Sequence, residues 1–395
     1  NKELLKECLN ELEENKGIGI DKGNKEENLE NLLNKLKNKS YKPSSRRVNI
    51  PKVNDNVKEH AIANFDDKIV QLALKKILEA IYEPKFTDNM FGFRTKLGVH
   101  NALRQITIDI ENHFTNYVVK ADIKGYFEHI NHDKLIDCLK IHIKDPNIIK
   151  LVKRFLASGI LEKEKLQMEE YKTLQGSILS PILANIYMYY LLILWFETVV
   201  KKNFKGFASI INYADDFICC FQNKDEAERF YEELLPNRLK TIGLELAEDK
   251  TRIIAFGRFA RANCSKRKPK TFNFLGFTHY CSTSKNGKFR VKRKTSSKTF
   301  RKKLSEFNVW CKENRNLPLD KIMVTFKKNL IEHYNYYGIT DNYPMIQKYE
   351  WWMYKILFKW VNRRSQRKSY TWKEFLQMIE RYNIPKAHIC VKIYK

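Results

Sequence analysis

The sequence predicts a mixed α/β protein whose last hundred residues turn helical and basic, and three observations carry that reading. Two apolar runs, Ile210–Tyr213 and Phe217–Phe221, flank Ala214, Asp215 and Asp216, the pattern of a β-hairpin with carboxylates at its tip. A third run, Tyr117–Ala121, reads as a strand that delivers Asp122 to its end. Further on, Ile322, Phe326, Leu330 and Tyr334 recur every four residues, one stripe of a helix.

The other elements follow in order. Residues 1–40 are polar and helix-prone, with Leu29, Leu32, Leu33 and Leu36 as an apolar series and a glycine-rich break at residues 17–23. Ile69, Leu72, Ala73 and Ile77 predict a helix over 66–82, with Asp66 as its cap and Pro84 as its stop. Asn131 or Asp133 is placed to cap a helix beginning near Lys134. Residues 226–244 read as helix and 252–256 as a further strand. The composition shift near residue 285 suggests three parts: 1–115, 116–284 and a basic helical 285–395.

The 395 residues carry 73 Lys and Arg against 46 Asp and Glu, a formal charge of +27. So large an excess repels itself in a compact chain, which points to a polyanionic partner, nucleic acid before an anionic membrane. The most apolar stretch, Ile186–Phe196, falls short of the roughly 20 residues a bilayer needs, so no membrane span is expected. The eight cysteines form no C-x-x-C pair and no zinc-spaced cluster. Reduced thiols and a cytoplasmic address are the expectation, with Cys219 and Cys220 as interior residues of a strand.

Converging carboxylates suit a definite chemistry. Nucleotidyl transfer uses two divalent cations about 4 Å apart, one activating a 3′ hydroxyl and one steadying the leaving pyrophosphate. Mg²⁺ is a hard cation that wants oxygen ligands held on rigid elements. Asp122 at a strand end, beside Asp215 and Asp216 on a hairpin, would supply them. Two aspartates in a turn also occur as plain solvated turns, so the surrounding motifs decide.

Those motifs run in order along most of the chain. They include Tyr41-x-Pro43, Arg46-Arg47-Val48-x-Ile50-Pro51-Lys52, Asp67-Lys68-Ile69-Val70-Gln71 and Gly92-Phe93-Arg94. Lys120-Ala-Asp122-Ile-Lys-Gly-Tyr-Phe127, Gln175-Gly176-Ser-Ile-Leu-Ser-Pro181-Ile-Leu-Ala-Asn185 and Tyr213-Ala-Asp-Asp216 follow, then Gly243-Leu-Glu-Leu with Lys250, and Phe274-Leu-Gly-Phe277. Over residues 17–340 the chain resembles the reverse transcriptases of bacterial group II introns and their relatives. The resemblance implies a right-hand polymerase fold: α/β fingers, a palm whose antiparallel sheet carries the Tyr213–Asp216 hairpin, and a helical thumb. It implies Asp122, Asp215 and Asp216 as catalytic metal ligands, with the Ile123 carbonyl as a further ligand. Two Mg²⁺ are the implied cofactor, with Mn²⁺ as a substitute. Around the nucleotide it implies Lys52 and Lys58 near the triphosphate and Phe127 as an aromatic gate against a ribose 2′ hydroxyl. Gln175 and Gly176 would line the pocket and Lys250 would assist pyrophosphate departure. Phe127 also reads as a core aromatic, and Lys250 as a solvated strand-edge lysine.

The departures are local. Lys58-Glu-His-Ala-Ile-Ala63 replaces the family's Arg-x-Leu-Gly-Ile-Pro, and Lys68 stands where an arginine is usual, losing the planar fork. No Cys/His-rich endonuclease segment is present in the sequence, so DNA cleavage is not expected of it. Two basic clusters without acids, Arg258, Arg261, Lys266, Arg267, Lys268 and then 285–303 with Lys292, Arg293, Lys294, Arg301 and Lys302, are expected to track a phosphate backbone. The aromatic-rich stretch from Trp351 to Trp360 reads as thumb core or as a base-stacking surface. The expected partners are an RNA template, a DNA or RNA primer and a cognate structured RNA, intron or noncoding, with a protein partner left open. The expected activity is RNA-directed DNA synthesis, in an intron-like or antiphage-defence setting. An RNA-binding maturase with incidental polymerase activity and an RNA-dependent RNA polymerase are the alternatives.

Overall fold

A computed structural model describes residues 1–14, 25–43, 45–51, 57–158, 160, 177–260, 269–364 and 370–394, with residues 25, 26, 45–51, 57–63 and 128 described by backbone alone. These fall into two compact units, Asn1–Gly98 with Val119–Ile253, and Val99–Val118 with Ile254–Lys395. The chain passes between them at the start of a helix, at Val99, and within two strands.

The first unit opens with amphipathic helices α1 (Lys2–Glu14) and α2 (Lys25–Lys37), which bury Leu5, Cys8, Leu12, Leu29 and Leu32. An antiparallel hairpin follows, β1 (Ser45–Pro51) and β2 (Val57–Ala63), with Ile50 opposite Lys58. Helix α3 (Phe65–Tyr82) is capped at Asn64 rather than at Asp66, and it stops one residue short of Pro84 at Glu83. Asp66 lies inside the first turn, where its negative charge still suits the helix N-terminus. Lys76 on α3 is held by Glu7 and Glu11 of α1 at 2.5 and 2.8 Å.

After α4 (Val99–Glu111), which belongs to the second unit, β3 (Tyr117–Asp122) returns to the first. Helix α5 (His132–Lys140) is capped by Asn131, whose side chain accepts from the Lys134 amide at 3.0 Å. Helix α6 (Pro146–Ala157) is capped by Asp145, with proline at the first helical position. Helix α7 (Ser180–Met188) is buried at every position and runs through two π turns into α8 (Lys201–Asn203). This run, Ser180–Asn203, is 24 residues long and holds an 18-residue window with a mean hydropathy of 1.5, so by length and composition the apolar stretch is not too short to span a bilayer, contrary to expectation. Packing accounts for its composition: 56% of the apolar window is buried, and Tyr126 and Gly92 bond directly to α7.

Strands β4 (Ala208–Tyr213) and β5 (Asp216–Phe221) pair antiparallel, with Tyr213 opposite Asp216. Their interior, including Cys219 and Cys220, is fully buried, as apolar runs bounded by a tight turn require. Helix α9 (Lys224–Arg229) continues through a π turn into α10 (Leu235–Ile242), which Gly243 ends at φ 78°. Strand β6 (Arg252–Ala255) completes a four-stranded sheet in the order β4-β5-β3-β6.

The second unit holds an antiparallel sheet of β7 (Phe272–Phe274), β8 (Phe277–Thr283) and β9 (Phe289–Thr295), in that order. Four helices follow: α11 (Ser297–Glu313), α12 (Leu319–Tyr337), α13 (Tyr343–Val361) and α14 (Trp372–Arg381). The expected stripe of Ile322, Phe326, Leu330 and Tyr334 is buried, packed with Phe307, Met353, Leu357 and Phe375. The chain enters the second unit for the last time after residue 253. The β7–β9 sheet belongs with α4 and the terminal helices, because β9 packs on α4 through the buried Arg293.

Candidate active site

The β4–β5 hairpin turns through two residues, Ala214 and Asp215, so Asp216 is the first residue of β5 rather than part of the turn. Ala214 sits at φ 58°, a left-handed conformation that costs an L-residue about 1 kcal/mol. Four contacts brace this turn. The buried Asn212 side chain donates to the Ala214 carbonyl at 2.7 Å. Backbone bonds of 2.9 Å tie Asn212 to Asn89 and to Phe91 on a neighbouring loop. Beneath the tip lies Gly92, where a Cβ would come within 2.4 Å of the Ala214 nitrogen. The Gly92 carbonyl in turn accepts from Asn185 on α7 at 2.8 Å. The tip is therefore a strained turn seated on a rigid helix, as a site that must hold two acids in place requires.

The sheet order places β5 beside β3, whose last residue is Asp122. Two lysines answer the acids: Lys120 lies 3.7 Å from Asp216 Oδ1, and Lys250 lies 3.2 Å from Asp122 Oδ2. Burial raises the proton affinity of Asp215, and the charge of Asp122 adds to it while Lys250 opposes. Burial likewise pushes Asp216 up to about 7, Lys120 pulling it down and Asp215 and Asp122 pushing it further up. The three carboxylates thus repel one another across a partly dry sheet end.

This donor set fits hard divalent cations. Asp216 Oδ1 is buried with no donor within hydrogen-bond distance, its positive neighbour Lys120 standing 3.7 Å off, a weakly met demand that a cation answers. The Asp122 carbonyl is occupied by the Ala247 amide at 2.8 Å, and Lys124 donates to Glu245. Ile123 therefore occupies the non-bonded position of its bridge to Leu246, and its carbonyl points away from that segment. Among the described residues no three His, Cys, Asp or Glu side chains form a ready-made cage. Asp122 and Asp216 are each engaged by a lysine instead.

The other expected residues differ in what the structure says of them. Phe127 follows the turn at Gly125 (φ 54°) and is buried, edge-on to Tyr126 at 5.3 Å. Tyr126 donates to the Ala184 carbonyl at 2.7 Å, fixing this turn on α7. Lys250 is half exposed and paired with Asp122, so it is not a merely solvated lysine. Lys52, Gln175 and Gly176 lie outside the described residues, and Lys58 is described by its backbone on β2. Sequence reasoning did not single out Gln71. Buried on α3, its Oε1 accepts from Ser177 Oγ at 3.1 Å and the Ile178 amide at 3.0 Å, anchoring the segment that leads into α7. Nor did it single out Lys120, Asn185 or Asn212. Lys120 stands in a quoted motif two residues before Asp122, a spacing that puts it on the same strand face as the acid.

Residues 50–279 match the family model described as reverse transcriptase (RNA-dependent DNA polymerase), more than half of the chain. The chain belongs to the reverse transcriptase family. It is 40% identical over 169 residues to the group II intron-encoded protein LtrA of Lactococcus lactis subsp. cremoris, a match covering 42% of this chain and 28% of that protein. It is 38% identical over 169 residues to an uncharacterized 91 kDa protein in the cob intron of Schizosaccharomyces pombe, covering 41% of this chain and 20% of that one. The matched part thus spans less than a third of either relative. A structure of Candida albicans telomerase with a fragment of telomeric RNA is similar at a TM-score of 0.41 and 12% identity, covering 88% of this chain and 64% of that one. The fold is the α/β right-hand polymerase fold of the family, and reverse transcriptases as a family depend on divalent metal ions.

The basic residues of this reverse transcriptase divide sharply. Lys294, Arg301 and Lys302 are exposed and Lys292 is half-buried, Lys302 lying 3.6 Å from Glu306. Arg258 is exposed and donates to the Glu111 carbonyl at 3.3 Å. Arg261, Lys266, Arg267 and Lys268 lie outside the described residues. Arg293 corrects the expectation: it is fully buried and cannot reach a phosphate backbone. It shares the inner face of β9 with Val291 and Thr295, and it donates to the Leu103 carbonyl at 2.8 Å and to Thr107 Oγ1 at 2.5 Å on α4.

Proposed function

We propose that this reverse transcriptase is an RNA-directed DNA polymerase whose catalytic Mg²⁺ ions are held by Asp122, Asp215, Asp216 and the Ile123 carbonyl. The observation that carries the reading is the strained hairpin tip, with the donorless Asp216 Oδ1 beside the end of the strand bearing Asp122. When bound, two divalent cations supply the charge that activates a 3′ hydroxyl and neutralises the leaving pyrophosphate. The chain's own residues do the rest. Asn212, Gly92 and Asn185 fix the acids, and Lys250 is near enough to Asp122 to serve a departing phosphate. Phe127, buried beside Tyr126 five residues beyond Asp122, is proposed as the ring that would crowd a ribose 2′ hydroxyl, favouring deoxynucleotides. A structured RNA is the proposed partner, in an intron-like or antiphage-defence setting, and the cytoplasm the proposed location.

The test is extension of a DNA primer on an RNA template with Mg²⁺ and deoxynucleotides. Asp215→Asn and Asp216→Asn should each lower the rate at least about a thousand-fold, the loss of a cation ligand costing several kcal/mol of barrier. Full activity in either variant would end the proposal. The similarity to an intron-encoded protein supports a second reading, an RNA-binding maturase. Retention of biological activity by these same dead variants would favour it.

A further inference from the structure

Helix α13 buries Tyr349, Met353 and Leu357 in the core of the second unit and leaves two adjacent indoles outside, Trp351 at 49% and Trp352 at 41% exposure. Their rings are 4.9 Å apart at 82°. Lys355, one turn further, holds its ammonium 5.3 Å from the Trp351 ring and 4.2 Å from the Trp372 ring on α14. The remaining exposed positions of α13 are Tyr343, Pro344, Gln347, Lys348 and Lys359. None is a branched aliphatic side chain that would seek a bilayer. Glu350, the sole acid of α13 in the sequence, is turned to its own fold, accepting from the Ala387 amide at 3.1 Å and from the Tyr354 hydroxyl at 3.4 Å. The face therefore offers indole surfaces and three ammonium groups with no carboxylate of α13 competing for them.

That combination fits a chain of planar rings joined by negative charges. Stacking on tryptophan is indifferent to base identity, and lysines beside it meet the phosphates. Duplex nucleic acid hides its ring faces, so the surface suits unpaired nucleotides. We propose that the Trp351–Trp352 face of α13, with Lys348, Lys355 and Lys359, binds single-stranded nucleic acid. The proposal does not depend on the carboxylate site extending a primer.

The test is photo-cross-linking of the full chain to a 12-nucleotide single strand carrying 5-iodouracil, with the linked peptide mapped by mass spectrometry. The expected adduct lies on the peptide holding Trp351 and Trp352. The double variant Trp351→Leu with Trp352→Leu keeps apolar bulk but has no π face, and its yield should fall roughly tenfold. The corresponding pair of Phe substitutions should restore it to within about threefold. Lys355→Gln, a change at an exposed position, should lower binding and flatten its salt dependence by somewhat less than one unit of log–log slope. Adducts confined to other peptides, or a Leu pair as effective as wild type, would overturn the proposal. So would a Phe pair as weak as the Leu pair. Binding to phosphatidylserine vesicles that survives the Leu pair, with no adduct on this peptide, would assign the face to a membrane instead.

Discussion

Asp216 at the start of β5 and Arg293 in the middle of β9 are both charged side chains carried on apolar strands, yet their surroundings differ in kind. Arg293 is fully buried, and its two terminal nitrogens donate to the Leu103 carbonyl, Thr107 Oγ1 and the Val291 carbonyl, while Nε–H has no acceptor. Burial lowers its proton affinity, and Tyr394, Asp341 and Glu111 oppose that. Asp216 instead keeps Oδ1 buried and without a donor, faces two like charges, and has a single lysine at 3.7 Å. A charge whose hydrogen bonds are largely met inside the fold is a strut, and one left short of partners beside its own kind marks a site.

The sharpest way to break this comparison is to move the site without touching its acids. Gly92→Val places a branched side chain where even a Cβ would lie 2.4 Å from the Ala214 nitrogen, so the hairpin tip must shift. Primer extension should fall on the order of a hundred-fold while the chain still folds, a displacement of about 1 Å being enough. An unchanged rate would show that the tip's position does not matter. For the strut, Arg293→Gln should destabilise the second unit by roughly 3 kcal/mol, because buried acceptors lose their donor. Thermal unfolding of the full chain reads this, and no loss of stability would return Arg293 to the surface reading. Lys294→Gln, one residue on and exposed, should leave unfolding unchanged and weaken RNA binding only a few-fold.

Smaller, and specific to β5, is the pH response. Burial raises Asp216 above its ordinary value to about 7, so the metal-free fold binds a proton there that the unfolded chain releases. Its stabilising contribution is full below the unfolded value near 4 and is lost as pH rises through about 7. Asp216→Asn, a neutral isostere, should remove that part of the decline in melting temperature between pH 5 and 8. A wild-type and variant pair with parallel pH profiles would contradict the burial argument.

The contrast also explains what was legible beforehand. The hairpin, the strand ending at Asp122, the Asn131 cap and the stripe of α12 were readable because each is a local pattern with a fixed period or a specific turn. Asp216 was read as part of the turn because a two-residue loop and a three-residue one look alike when an acid begins the next strand. Arg293 was misread for a related reason. Counting charge over 285–303 ignored the alternation that sets Val291, Arg293 and Thr295 on one face of a strand. The place of α4 in the second unit was not readable at all, since nothing local ties Leu103 and Thr107 to a side chain nearly two hundred residues away. Gln71 and Asn185 stood inside quoted motifs, but their polar side chains gained meaning only once their backbone partners were in place.

Iron-mediated backbone cleavage tests the cation site most directly. Fe²⁺ substituted for Mg²⁺, with ascorbate and peroxide, cuts polypeptide beside the bound ion, without nucleic acid and without turnover. Cuts are expected near residues 120–124 and 213–217, suppressed by excess Mg²⁺ and lost in Asp216→Asn. Cleavage that avoids both segments, or that persists unchanged in the variant, would contradict a cation site between Asp122 and the hairpin tip.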